Sequence, residues 1–158
     1  MHRIRVYVDT SVFGGTQDDE FAEVSQRFFA RVNNGEFVVL LSVETVRELA
    51  NAPDAVRAVW QELLPEAIEE VAVDDEVTEL ARGYINANVL DRASESDALH
   101  VAAATVAGAD LILSWNFKHI VNFSRIRGFN SVNVNQGYRS MTILSPLEVD
   151  YGQEEENV

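Results

Sequence analysis

The stretch IRVYVDTSVF, residues 4–13, decides the fold class. Apart from Arg5, the residues from Ile4 to Val8 are β-branched or aromatic, and Asp9, Thr10 and Ser11 bound them, which predicts a first strand ending in a turn. Downstream, Phe21, Val24, Phe28, Phe29 and Val32 recur at helical spacing, and Gly35 stands where a helix would stop. Phe37 to Leu41 is a continuous apolar run, the pattern of a strand covered on both faces. Ser42 is placed to cap the next helix, and Pro53 ends or restarts it. Val56, Val59, Trp60, Leu63 and Leu64 mark one more amphipathic helix, stopped at Pro65. Val71 to Val73 reads as a brief strand, and Val77, Leu80, Ala81, Tyr84 and Ile85 step again at three and four. Ser94 opens an Ala-rich helix closed by Gly108, whose small side chains permit close approach to a sheet. Asp110 to Ser114 is the strand after it, Phe117 to Phe129 predicts short helical turns, and Met141 to Leu144 a last strand.

Strands alternating with helices predict a parallel sheet with helices on both faces. The expected fold class is therefore α/β, a three-layer α/β/α sandwich around a central parallel sheet of about five strands. Residues 1–150 are expected to form this single domain, followed by an acidic, frayed tail over 151–158.

Composition narrows the function classes. The 158 residues are 47% hydrophobic and 24% charged, with 8 Gly and 3 Pro, which excludes disorder, collagen and coiled coil. Cysteine is absent, so thiol catalysis and Cys-zinc sites are excluded, and the usage fits a reducing cytoplasm. Asp9 interrupts any signal-peptide core, and no apolar run approaches a membrane span, so a soluble cytoplasmic protein is expected. Twelve basic against 26 acidic residues give a net charge of −14, which argues against a nucleic-acid partner. Its distribution argues otherwise. Residues 1–110 hold 8 basic and 21 acidic side chains, a net −13, whereas Leu111 to Leu147 contains no Asp and only basic charge from Lys118, Arg125, Arg127 and Arg139, with no Glu either. A basic patch beside an acidic body is what is expected if acids hold a cation and the patch receives an anion.

In an open parallel sheet, ligands collect at the carboxyl ends of the strands. Asp9 follows strand one, Glu48 lies in the helix after strand two, Asn116 follows the strand LILS, and Asp97 stands near the start of the Ala-rich helix. Carboxylates gathered in one crevice repel one another unless a hard, oxygen-seeking cation such as Mg²⁺ or Mn²⁺ holds them. Each residue also has a local reading: Asp9 as a helix cap or Asx turn, Glu48 as an exposed partner of Arg47, Asp97 as a capping partner of Ser94, Asn116 as a turn residue. Lys118 and His119 suit phosphate contact or a solvated pair, and His100 suits helix packing or ligation.

Taken together and in order, YVDTSVF, SVETVRELA, SDALHVAAA and ADLILSWNF resemble the PIN-domain family, in particular its small VapC-like ribonuclease toxins. The resemblance covers nearly the whole chain. It implies a PIN-like sandwich and an RNA-cleaving site in which Asp9, Glu48 and Asp97 hold Mg²⁺ or Mn²⁺ and Asn116 takes a fourth position where many members have Asp. Glu44 rivals Glu48 and Glu95 rivals Asp97, both with poorer spacing. Phosphodiester hydrolysis needs an activated water, charge neutralisation on the phosphate and a stabilised leaving oxygen, and one or two divalent cations supply all three. Thr10 and Ser11 would position phosphate or serve as turn donors, and Lys118, Arg125 and Arg127 would bind RNA. The implied partners are RNA and a small antitoxin protein. The apolar residues Val46, Leu49, Val56, Val59, Trp60, Leu63 and Leu64 offer a surface for that antitoxin or for a second copy in a homodimer, unless all belong to the core.

Competing readings have less support. A D-x-D phosphatase needs an acid at position 11, which is Ser, and neither a P-loop nor G-x-G-x-x-G is present. The main alternative is a catalytically decayed PIN-like scaffold acting as a protein-binding module, which Asn116 favours.

Overall fold

A computed structural model describes residues 3–150. The tail expected to fray, 151–158, lies outside the described residues. Five strands form one sheet: β1 (Ile4–Val8), β2 (Phe37–Ser42), β3 (Ile68–Val71), β4 (Leu111–Leu113) and β5 (Ile143–Leu144). Their order is β3-β2-β1-β4-β5, and every pairing is parallel. The connections from β1 lead outward in one direction, while β4 and β5 lie on the other side. This places the topological switch point between β1 and β4.

Side-chain alternation in β1 builds the layers. Tyr7 points into a core formed with α5 (Asp75–Asn86), α6 (Glu95–Val106) and α7 (Phe123–Asn135). Val6 and Val8 point to the opposite core, against α1 (Thr10–Gly15), α2 (Ala22–Asn33), α3 (Val43–Ala50) and α4 (Asp54–Gln61). Burying each large apolar side chain contributes about 1.5–3 kcal/mol, and Phe13, Phe28, Phe29 and Phe37 form one aromatic run on this second face. On the first face, Ala98, Ala102 and Ala103 of α6 are fully buried. Their small size lets the helix lie close over the sheet.

Two elements differ from expectation. The third strand is Ile68–Val71 rather than residues 71–73, because Val39 to Ser42 of β2 pair with Ile68 to Val71 in register. The acidic Glu69 and Glu70 disguise this strand. The expected short turns from Phe117 to Phe129 resolve into a loop and one helix, α7, whose N-cap Asn122 accepts the Arg125 N–H. The short α1 directly after Asp9 stands where the sequence leaves a helix start or an Asx turn open. Of the apolar set on α3, α4 and beyond, Leu49, Val56 and Leu63 are core, Val46, Val59 and Trp60 are half-buried, and Leu64 is 44% exposed. Among the described residues, no helix is long and apolar enough to cross a membrane.

Candidate active site at the sheet switch point

Asp9 ends β1 in the N-cap position of α1, yet its side chain makes no cap bond. Its Oδ2 instead accepts the hydroxyls of Ser11 at 2.7 Å and Ser114 at 2.8 Å. Because Ser114 directly follows β4, one carboxylate ties together the two strands that flank the switch point. The tie extends into the loop after β4. Ser11 Oγ accepts the Trp115 N–H and Ser114 Oγ accepts the Asn116 N–H, both at 2.9 Å. The Trp115 ring stacks on Phe21 with centroids 4.1 Å apart and donates to Ser25 Oγ, so the loop carrying Asn116 is pinned from the other side.

Helix α3 brings Glu48 to the same place. The Thr10 hydroxyl donates to Glu48 Oε1 at 3.1 Å, and His100 Nε2 hydrogen-bonds that same oxygen. His100 Nε2 also stands 3.8 Å from Asp9 Oδ1. On its other side, His100 Nδ1 lies 2.7 Å from the Tyr7 hydroxyl, which is 2.7 Å from Ser42 Oγ. Burial works against a charged His100 ring, but Tyr7, Glu48 and Asp9 outweigh it and hold the pKa well above the ordinary histidine value. The His100 ring thus stands between two carboxylates.

The first turn of α6 carries Asp97. Its side chain does not complete a capping box with Ser94, which makes no cap bond. It lies 2.9 Å from His119 Nδ1, and Asn116 Nδ2 donates to its other oxygen at 3.4 Å. The Asn116 side-chain oxygen accepts the His119 N–H at 2.9 Å, which closes the loop on itself. Burial first, and the charge of Asp9 second, push the Asp97 carboxyl up despite the pull of His119. Asp9 and Asp97 therefore sense each other across the crevice.

The geometry separates the rival acids. Glu44 is buried, but it pairs with Arg47 and accepts Ser96 Oγ at 2.7 Å. Burial alone would raise its carboxyl, yet the Arg47 and Ser96 hydrogen bonds hold it below the usual range. Glu95 is exposed and lines a separate cavity beside α5. Thr10 and Ser11 spend their hydroxyls on Glu48 and Asp9, so they position carboxylates here. Two residues the sequence leaves open, His100 and His119, prove to be the direct partners of Glu48 and Asp97. Their signals are faint ones: His100 falls three residues after Asp97 on one helix face, and His119 three after Asn116 in a turn.

The expected basic patch divides. Lys118 is exposed in the site loop, Arg125 donates to the Val89 carbonyl, and Arg127 lies over the Phe123 ring. Arg139 lines a cavity with Gly108 and Asp110, ahead of β4 and β5, at the end of the sheet opposite the acids.

Asp9, Glu48 and Asp97 supply only hard oxygen donors, the chemistry that suits Mg²⁺ or Mn²⁺. Each carboxylate is engaged by a protein partner. Among the described residues, no three Asp, Glu or His side chains are grouped closely enough to hold an ion as they stand. The donor set fits such a cation in kind, with Glu48 and Asp97 the side chains that would change partners.

The PIN-domain family model matches residues 6–120. The chain belongs to the PIN-domain family. No match was found among curated protein sequences, and the likeness to solved PIN structures is one of fold. VapBC2 from Rickettsia felis, bound to a promoter DNA fragment, aligns at TM-score 0.59 and 11% identity over 90% of this chain and 98% of that one. VapC20 from Mycobacterium tuberculosis, a toxin that cleaves the sarcin-ricin loop, aligns at TM-score 0.56 and 16% identity over 87% and 98%. FitAcB from Neisseria gonorrhoeae aligns at TM-score 0.56 and 12% identity over 90% and 98%. These alignments bear out the PIN-like sandwich that the four sequence stretches imply.

Proposed function

We propose that this PIN-domain protein is an endoribonuclease that hydrolyses RNA phosphodiester bonds with Mg²⁺ or Mn²⁺, and that it is the toxin of a toxin–antitoxin pair. One observation carries the reading: at the switch point His100 stands between Asp9 and Glu48, and the Asp97 carboxyl is raised by burial and by the charge of Asp9. Asp9, Glu48 and Asp97 would hold the cation. When bound, it supplies a more acidic water and charge neutralisation on the phosphate and the leaving oxygen.

The remaining work falls to the chain itself. Ser11 and Ser114 hold Asp9 through one oxygen and leave Oδ1 for the crevice. Thr10 orients Glu48, and Tyr7 steadies the His100 ring behind it. Asn116 presents a neutral amide where a fourth carboxylate would add charge, and it suits orienting a phosphate or a water. Lys118, Arg125 and Arg127 would meet RNA phosphates, which position the substrate without reading its sequence. A small antitoxin protein is the proposed partner, because VapBC2 is a toxin–antitoxin assembly of the same fold. The half-exposed apolar side chains of α3 and α4 also suit a homodimer, and the cytoplasm is the proposed location.

The test is cleavage of RNA by the purified chain with Mn²⁺ or Mg²⁺ and with chelator, compared with Asp9→Asn. The second reading, a decayed scaffold that binds proteins, is favoured by Asn116, whose amide is already spent on Asp97 and the His119 N–H. It predicts no cleavage at any metal concentration.

A further inference from the structure

The fold sorts the cations of this acidic chain into two groups. Arg5, Arg27, Arg31, Arg47 and Arg57 each sit on a carboxylate. Arg82 of α5 and Arg92, in the turn ahead of α6, are exposed and have no ion-pair partner among the described residues. They line one cavity of about 230 Å³ with Thr78, Asn86 and Glu95. Helix α7 packs against the segment between α5 and α6. Arg125 donates to the Val89 carbonyl, and Gly128 sits so close to Val89 that an added Cβ would come within 2.8 Å of it. The start of α7, with Arg125 and Arg127, therefore adjoins the region that Arg82 and Arg92 border. On the other side, Glu95 lines the cavity while Asp97, in the same turn of α6, lines the acid crevice. Arg82 and Arg92 thus border a cavity that the first turn of α6 separates from the acid crevice, beside the exposed carboxylates Asp91 and Glu95.

We propose that Arg82 and Arg92 form a phosphate-binding subsite that carries the RNA backbone past the acid crevice, an inference that rests on the ribonuclease reading. Guanidinium groups match phosphate as planar forks, and these two break no existing ion pair to do so. Charge counting along the sequence passes over them because they lie in the acidic first 110 residues.

The experiment uses Asp9→Asn as the parent, so that RNA is bound without being cut. Its affinity for a single-stranded RNA oligonucleotide is followed by fluorescence anisotropy across a salt series at constant Mg²⁺. Adding Arg82→Gln and Arg92→Gln should weaken binding tenfold or more. It should also reduce the slope of log affinity against log salt by about 1.4, since each phosphate no longer neutralised on a single strand removes about 0.7. Arg57→Gln, which removes a guanidinium already paired with Asp54, should leave the slope unchanged. An unchanged slope in the double variant, with the parent binding RNA normally, overturns the subsite and leaves the ribonuclease reading standing. A parent that fails to bind RNA at low salt overturns both.

Discussion

Asp9 joins two strands, a helix and the acid crevice through one side chain, and the residues around it set what can change at low cost. Asn116→Asp would place a fourth carboxylate beside Asp97 and remove the amide N–H that donates to it. The variant should bind Mn²⁺ about tenfold more tightly by calorimetry, ~1.4 kcal/mol, and melt lower than the parent when metal-free. Unchanged affinity would put Asn116 outside the site. Gly15 is a second sensitive residue. A Cβ there would come to 2.7 Å from Ser25 Oγ and 2.8 Å from Trp115 Nε1. Gly15→Ala should therefore cost about 1–3 kcal/mol, seen as a lower Tm in circular dichroism, because α1 must move off the indole that pins the Asn116 loop. The candidate acids stand out in the sequence because short contexts put Asp9 at a strand end, Glu48 in the helix after β2 and Asp97 in the first turn of α6. Their histidine partners do not, since His100 and His119 acquire meaning only when α6 and the loop after β4 are folded against β1.

At the scale of elements, the chain reads best where its pattern is pure. β1 and β2 are nearly unbroken apolar runs, and α2 and α5 have clear apolar stripes, so all four fall where the sequence predicts. The sequence pattern places β3 too late because Glu69, which accepts from Arg5 at 2.5 Å, and Glu70 look like loop residues until Arg5 is seen beside them. Nor does α7 read as a single helix, because Asn, Ser and Gly interrupt its apolar positions; Asn133 is buried and accepts the Tyr84 hydroxyl at 2.5 Å, a bond no periodicity reveals.

The last described residues are held by a different device. Asp150 accepts from the Arg27 guanidinium at 2.8 and 2.9 Å, and Arg31 donates to the Val149 carbonyl at 3.0 Å. The Arg27 hydrogen bonds hold the Asp150 carboxyl below its ordinary value. A carboxyl depressed in the folded state stabilises above its unfolded pKa, about 3.9, and that contribution is lost as pH falls through the folded value. Asp150→Asn should lower stability at pH 7 by about 1 kcal/mol, given that the Arg27 side chain is 43% exposed. The deficit should shrink as the pH falls through the depressed folded value of Asp150, which thermal melts at several pH values would reveal. A constant deficit at all pH values would show that the pair acts through packing.

For the whole molecule, the α/β sandwich is legible because alternating strands and helices leave few alternatives, and the switch point follows from which strand ends carry acids. The distribution of function over the surface is less legible. A net charge of −14 is an average over paired arginines, a crevice of carboxylates and cations without an ion pair, and only the fold separates them. Long-range packing also regroups residues that the sequence keeps apart: Arg139 leaves the expected RNA patch for the far end of the sheet, while Arg82 and Arg92 come to line one cavity.

In the proposed ribonuclease, Asp9, Glu48 and Asp97 would hold the divalent cation on which RNA cleavage depends. The most direct test is a time course of RNA cleavage by the purified chain in millimolar Mn²⁺, run in parallel with chelator and with Asp9→Asn, whose fold is checked by circular dichroism. The account predicts internal cleavage with Mn²⁺ and its loss both in chelator and in a folded Asp9→Asn. Cleavage that survives either change, or no cleavage by the parent at any Mn²⁺ or Mg²⁺ concentration, would contradict it.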